Sequence, residues 1–303
     1  MLINANSSDV FIVVRGVGER TQEVVIDLAK RLVGSDSVTF VTGTPFSETL
    51  KKSFEVSIAR GLTWTFCVDA DVLFLPESLV QLRRMAQVAP SHLFGIQGLV
   101  LDKFFGGLRP AGARLYRTEL LSQALSYIPS GEESKRPETF VRRAMQRAGY
   151  EYIAQGVFVG LHDFEQYYRD IYRTAFFHAQ KHGKYVPRLR PYWERMSDID
   201  TDFAVALRGA GDGALVREVL GLDVKNFSDR ADKALLDLGI TEKGLYELGA
   251  EQLLGFVEDT VTSWDVPVEY DDFWRSTKEL SRMARILGPS VLGLLGLSGV
   301  SDQ

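Results

Sequence analysis

The sequence predicts an α/β fold, a mostly parallel sheet flanked by helices, with a helical extension behind it. Three features carry that expectation. Over residues 1–90, apolar runs alternate with amphipathic stretches joined by short connections. The run TWTFCVDADVLFL, Thr63–Leu75, reads as a strand covered on both faces but interrupted by two carboxylates, Asp69 and Asp71. From about residue 191 onward, strand character gives way to helical patterning.

The elements follow in order. Val10–Arg15 (VFIVVR) is a first buried strand, closed by a turn containing Gly16 and Gly18. Apolar residues at helical spacing (Val24, Val25, Leu28, Leu32) predict a helix over Glu19–Leu32. Val38–Thr42 is a second strand, and Pro45 opens a helix that Gly61 stops. The Thr63–Leu75 strand follows, then a helix over Pro76–Ala89. Beyond Pro90 the pattern is mixed: strands at Leu93–Leu101 and Ala113–Tyr116, a helix over Thr118–Tyr127, and a polar loop at Pro129–Pro137. A helix then begins at Glu138 and ends at Gly149, and a strand runs over Tyr150–Val159 into Leu161-His162-Asp163. Gly106-Gly107 marks a turn or a close backbone approach.

The remainder reads as helices. Phe164–His182 carries an aromatic stripe (Tyr168, Tyr172, Phe176, Phe177) that suits packing better than a substrate platform. His178 and His182 are four residues apart, a metal-binding spacing without a third ligand nearby. Ala214–Leu220, Asp229–Leu238, Lys243–Val257 and Asp272–Leu287 look amphipathic and helical.

Composition narrows the function classes. Hydrophobic residues at 45% and charged residues at 25% are an ordinary globular balance. A net charge of −5 gives no electrostatic reason to expect nucleic acid as partner. The single cysteine, Cys67, lies in the apolar strand and excludes disulfides within the chain. The amino-terminal residues MLINANSSDV lack a signal-peptide pattern, and no uncharged run reaches the roughly 18 residues that span a bilayer. A soluble, cytoplasmic protein is expected. The tail from Ile286, preceded by Lys278, Arg282 and Arg285, either touches an anionic membrane surface or is a final helix docked on the domain or a frayed end.

The chemistry centres on Asp69 and Asp71. On an extended backbone, side chains at i and i+2 point the same way, so both carboxylates would be aimed together at something positive. Carboxylates near a core need a divalent cation or a ring of donors; the bland alternative is a strand end that caps the helix starting at Pro76. Ligands of open α/β sheets bind outside the carboxyl ends of strands. Arg15 and Thr42, ending the first two strands, would line the same crevice. RGVGERT supplies G-x-G without a third glycine, which argues against a dehydrogenase.

The order of V-D-A-D-V at a strand end, a glycine-rich segment ending G-A-R-L-Y-R, a helix closing R-A-G-Y and L-H-D after a strand resembles the GT-A fold (Rossmann-like) glycosyltransferases, in particular the inverting family 2 type. The resemblance covers roughly residues 9 to 185. It implies a nucleotide-sugar-binding and catalytic domain over residues 1–190; the C-terminal helical region over 191–303 is read from the amphipathic patterning and not from the resemblance. It implies a nucleotide-diphosphate sugar donor, a carbohydrate or lipid-linked acceptor, and a divalent cation, Mn2+ or Mg2+, neutralising the leaving diphosphate. By the same resemblance Asp71 binds the metal, Asp69 contacts the ribose or a metal-bound water, and His162 is a further ligand. For His162 the plain alternative is a structural hydrogen bond. Glu138 matches the acceptor base, although Pro137 replaces the acid that usually precedes it, and Glu132 and Glu133 stand in reserve. Arg114, and less so Arg117, would steady phosphate or acceptor.

Two rival readings remain. A sugar-phosphate nucleotidyltransferase also uses paired carboxylates with Mg2+, but RGVGER is a thin version of its glycine-rich basic loop. A non-catalytic GT-A-like binding protein is favoured by the acid missing at position 137.

Overall fold

The structure is a computed structural model that describes residues 9–129, 136–181, 186–216 and 225–264. It has the α/β architecture that the sequence predicts. The strands are β1 (Val10–Arg15), β2 (Val38–Val41), β3 (Trp64–Asp69), β4 (Val72–Phe74), β5 (Leu93–Asp102), β6 (Gly107–Arg109), β7 (Ala113–Arg117) and β8 (Glu151–His162). Seven form the order β2-β1-β3-β7-β5-β8-β4, and β6 pairs with β5. From the pairings, β1, β2, β3, β5 and β8 run one way, and β4, β6 and β7 run the other.

Alternation along the strands sends side chains to two apolar layers. Val10, Ile12, Val14, Phe66 and Val68 pack under α1 (Gln22–Val33), α3 (Pro76–Gln87) and α10 (Ala250–Ser263). Phe11, Val13, Cys67, Phe94 and Tyr116 pack under α2 (Phe46–Arg60), α4 (Leu121–Leu125) and α5 (Pro137–Arg147). A third apolar cluster is helical and joins α6 (Tyr168–Lys181), α7 (Val186–Met196), α8 (Thr201–Leu215) and α9 (Lys225–Leu238). The aromatic stripe of α6 is packing: Tyr172, Phe176 and Phe177 are buried, and Phe227 stacks against both phenylalanines.

One expectation fails where it matters most. Thr63–Leu75 is not one strand. The chain leaves β3 at Asp69, turns at Ala70-Asp71, and re-enters the sheet as β4 beside β8, at the far edge. Tertiary hydrogen bonds impose the break. The Ala70 N–H donates to the Arg15 carbonyl at 2.7 Å, and the buried Thr21 hydroxyl donates to the Ala70 carbonyl at 2.6 Å. Asp69 and Asp71 are therefore not a parallel pair on extended backbone.

Smaller differences have equally local causes. Gly106 and Gly107 form a hairpin turn into β6, and Gly106 adopts φ 66° with its backbone against the Tyr192 ring, where a Cβ would lie at 3.0 Å. The helix expected over Lys243–Val257 starts only at Ala250. The stretch before it is drawn out by polar ties: Glu242 accepts from the Tyr168 and Arg169 amides, and Arg20 donates to the Gly244 and Leu245 carbonyls. Residue 191, where the helical region is expected to begin, lies within α7. Expectations for Glu132, Glu133, His182, Asp272–Leu287 and the tail from Ile286 lie outside the described residues. Ala214–Leu220 is described only as far as Val216, with α8 ending at Leu215. Among the described residues, no helix is long and apolar enough to cross a membrane.

α8 meets α6 through two glycines. A Cβ on Gly209 would lie 2.4 Å from the Tyr172 carbonyl oxygen, and one on Gly213 would lie 2.3 Å from that of Phe176. Neither oxygen can retreat without breaking a helix. Gly213→Val should therefore cost about 2 kcal/mol or more by overpacking and lower the melting temperature by several degrees, whereas Gly211→Ala, open within 4 Å, should not. Thermal unfolding followed by circular dichroism checks both.

Candidate functional site

The candidate site is built from strand ends. Arg15 closes β1, Asp69 closes β3 in register with it, Asp102 closes β5, and His162 closes β8 in register with Asp102. These charged residues end otherwise apolar strands and form two clusters joined by the Asp69-Ala70-Asp71 turn.

The first cluster is an ion-pair network on the α2/α5 side. Arg15 is 2% exposed. It reaches Asp69 Oδ1 from Nε at 2.9 Å and from Nη2 at 2.6 Å, and Glu138 Oε1 from Nη1 at 2.6 Å. Glu138, in the first turn of α5, also takes Arg114 at 2.9 Å through Oε2. Two guanidinium groups thus face two carboxylates, and the Phe46 ring lies 5.2 Å from the Arg15 guanidinium. Burial pushes the Glu138 carboxyl up, but Arg114 and Arg15 outweigh it and hold its pKa below the ordinary value. A carboxylate so held is a weak proton acceptor, so its surroundings oppose the base role expected of Glu138. Burial pushes the neighbouring Cys67 thiol up to about 12 and keeps it protonated.

The second cluster is acidic around a histidine. Asp71, His162 and Asp163 each offer a ligand atom within 4.8 Å of the others, a grouping able to hold a metal ion. Asp71 Oδ1 is buried without a hydrogen-bond partner, 3.8 Å from His162 Nε2. That gap is too long for a hydrogen bond and shorter than two metal–ligand bonds of about 2.1 Å end to end. Asp163 adopts φ 65°, strained for a residue with a side chain, and its Oδ2 lies 3.0 Å from His162 Nδ1. Asp102 Oδ2 lies 2.8 Å from the same Nδ1.

The electrostatics fit an ion. Burial, then Asp163, Asp69 and Glu19, raise the Asp71 carboxyl well above its ordinary value, with His162 pulling the other way. Burial opposes charge on His162, yet Asp163, Asp71 and Asp102 outweigh it and hold the imidazole well above its ordinary value. An orphaned carboxylate oxygen, an imidazole and a second carboxylate are donors that suit Mn2+ or Mg2+.

The other expected residues are dispersed. Thr42 follows β2 at the rim, exposed, with its carbonyl accepting from Lys52 at 3.3 Å. Arg117 lies at the opposite end of β7, beside Trp64, and donates to the Pro90 and Leu93 carbonyls; it steadies the sheet and is remote from Asp69. His178 packs edge-on to Phe105. Asp102 and Asp163 were assigned no role from sequence. Asp102 carried the same signal as Asp69, an acid ending a long apolar strand, and Asp163 stood in the L-H-D tripeptide itself.

No protein-family model matches the sequence, and no curated protein sequence matches it. Several solved structures share part of its shape. A mannosyltransferase from Pyrobaculum calidifontis in complex with GDP-Man and Mn2+ is 11% identical, with a TM-score of 0.39, covering 95% of this chain and 87% of that one. A CMP:2-keto-3-deoxy-manno-octonic acid synthetase complexed with CTP is 13% identical, with a TM-score of 0.35, over 50% of this chain and 92% of that one. A glycosyltransferase involved in glycosylation of the major capsid of PBCV-1 is 12% identical, with a TM-score of 0.32, over 48% of this chain and 80% of that one. At this level of likeness the neighbours carry no argument about the present site.

The ion-pair network makes a stability prediction. Arg15→Leu leaves Asp69 and Glu138 short of a buried partner and should cost about 3–5 kcal/mol in urea unfolding. Because the Glu138 pKa is depressed on folding, its contribution is complete above the ordinary value of 4.5 and is lost as pH falls through the folded value. Glu138→Gln should therefore flatten the acid limb of the stability–pH curve below about pH 4.5.

Proposed function

We propose that this protein is a divalent-metal-dependent glycosyltransferase that moves a sugar, with inversion, from a nucleotide-diphosphate donor to an acceptor hydroxyl. One observation carries the reading: the buried, unpartnered Asp71 Oδ1 converges with His162 and Asp163 at the carboxyl ends of the strands. In this reading Asp71, His162 and Asp163 hold Mn2+ or Mg2+. A bound ion of this kind would neutralise the charge that builds on the diphosphate leaving group.

The chain's own residues supply the rest. Asp69 is held by Arg15 and keeps a partly exposed carboxylate beside the turn, suited to accept from a ribose hydroxyl. Arg15 and Arg114 make the wall next to it basic, and Glu138 fixes their guanidinium groups as counter-ion rather than serving as acceptor base. Thr42 borders the donor crevice at its rim. Inversion rests on the family resemblance, as does the identity of the acceptor as carbohydrate or lipid-linked sugar.

A second reading is favoured by the same Glu138 contacts: a carboxylate committed to two arginines suits a protein that binds nucleotide sugars without transferring them. Incubation with Mn2+ and a panel of nucleotide sugars separates these readings. Release of nucleoside diphosphate with formation of an inverted product supports the transferase. Binding without release supports the second reading, and pyrophosphate release from a sugar phosphate and a nucleoside triphosphate would point to nucleotidyl transfer.

For the transferase, Asp71→Asn should lower nucleoside diphosphate release at least about a hundredfold, the loss of a few kcal/mol of charge stabilisation. Mn2+ affinity should rise with pH, because protons raised onto His162 and Asp71 must leave before the ion binds. Titration calorimetry at several pH values checks the sign; affinity that is flat with pH would contradict these ligands.

A further inference from the structure

We infer that Asp102 is the positioning residue of His162, aiming Nε2 at the ion site, an assignment that rests on the metal reading above. Asp102 is fully buried, and its carboxylate is fixed by donors from its own hairpin. The Phe105 amide donates to Oδ1 at 2.9 Å, and Arg109 donates to Oδ2 from Nε at 2.6 Å and from Nη2 at 2.5 Å. The hairpin corner is locked in turn. The Lys103 amide donates to the His162 carbonyl at 3.1 Å, and the Gly106 amide donates to the Asp102 carbonyl at 2.9 Å.

The helical cluster completes the clamp. Lys103 Nζ pairs with Asp200 at 2.7 Å and Asp202 at 2.5 Å, the Tyr192 hydroxyl donates to the Lys103 carbonyl, and Trp193 Nε1 donates to the Phe104 carbonyl. A carboxylate held this firmly, 2.8 Å from Nδ1, keeps a proton on that nitrogen. Only Nε2 then remains for coordination, and it faces Asp71. Without Asp102, the Asp163 carboxylate at 3.0 Å is free to take Nδ1, which removes one ligand as well as misaiming another.

The test uses the full chain and Mn2+ as probe, with affinity read by electron paramagnetic resonance and stability by thermal melting. Wild type binds the ion and Asp71→Asn does not. Asp102→Ala weakens Mn2+ binding roughly 10–100-fold, the size typical of losing the carboxylate behind a ligating histidine. A merely structural Asp102 would lower the melting temperature while leaving the affinity of the folded fraction unchanged, and that result overturns the assignment. If wild type binds no Mn2+, the metal reading falls and this inference with it. A second measurement leaves Asp102 in place: nitrogen-15 spectra of the histidine rings with Zn2+ as diamagnetic probe, in which His162→Ala assigns the His162 signals among four histidines. A metal-bound Nε2 with a protonated Nδ1 is expected; coordination through Nδ1 overturns the proposal.

Discussion

The burial of Arg15 is the constraint on which the rest of this molecule turns. A guanidinium closed off from water needs anionic partners with good geometry, and it finds them on two different elements, β3 and α5. The same residue's carbonyl takes the Ala70 amide, so one position sets both the charge arrangement and the break in the chain after β3. Side chain and backbone of Arg15 thereby fix where Asp69 ends and in which direction Asp71 departs. The two acids that look equivalent in the sequence end up serving opposite neighbours, one a cation and the other a histidine among acids.

Much of the α/β layer was legible because it is encoded locally. VFIVVR and VTFV are apolar runs with no other use than strands, and the left-handed Gly61 stops α2 where expected. Asp69, Asp71 and Arg15 stand out as charged residues at strand ends, whereas His162, Glu138 and Arg114 come in with the family resemblance; the fold gathers all six in two adjoining clusters. The division between those clusters was not legible. It depends on the Arg15 carbonyl accepting from, and the Thr21 hydroxyl donating to, a turn that lies 49 residues beyond Thr21, and no periodicity reports such a contact. Thr21 stands at the start of α1, where a hydroxyl usually caps the helix, but its hydroxyl goes to Ala70 instead. The delayed start of α10 has the same origin: amphipathic spacing from Lys243 onward is real, yet Glu242 and Arg20 tie the backbone around it to α6 and to the turn before α1.

The two clusters divide the electrostatic work. The Arg15–Glu138 side sets two guanidinium groups against two carboxylates, so it is close to neutral and contributes shape and a fixed donor array. The Asp71–His162 side is crowded with acid and leaves one buried oxygen unanswered. Pre-arranged repulsion of that kind is tolerable only where surrounding structure over-determines it, and here the surrounding structure is a β-hairpin anchored by aromatic rings and by Lys103.

That anchoring has a practical meaning for dissecting the protein. Lys103 belongs to the sheet, but its two carboxylates belong to the helical cluster, and Asp202 in turn takes Lys243 at 2.6 Å from the stretch before α10. The charges alternate across three segments far apart in sequence, each completing the one before. Cutting the chain between sheet and helices would strand the buried Lys103 ammonium on one fragment and leave Asp200 and Asp202 with Lys243 alone on the other. The two layers differ in secondary structure, yet they share one set of buried charges, and transplanting either one onto another protein would require carrying its counter-ions along.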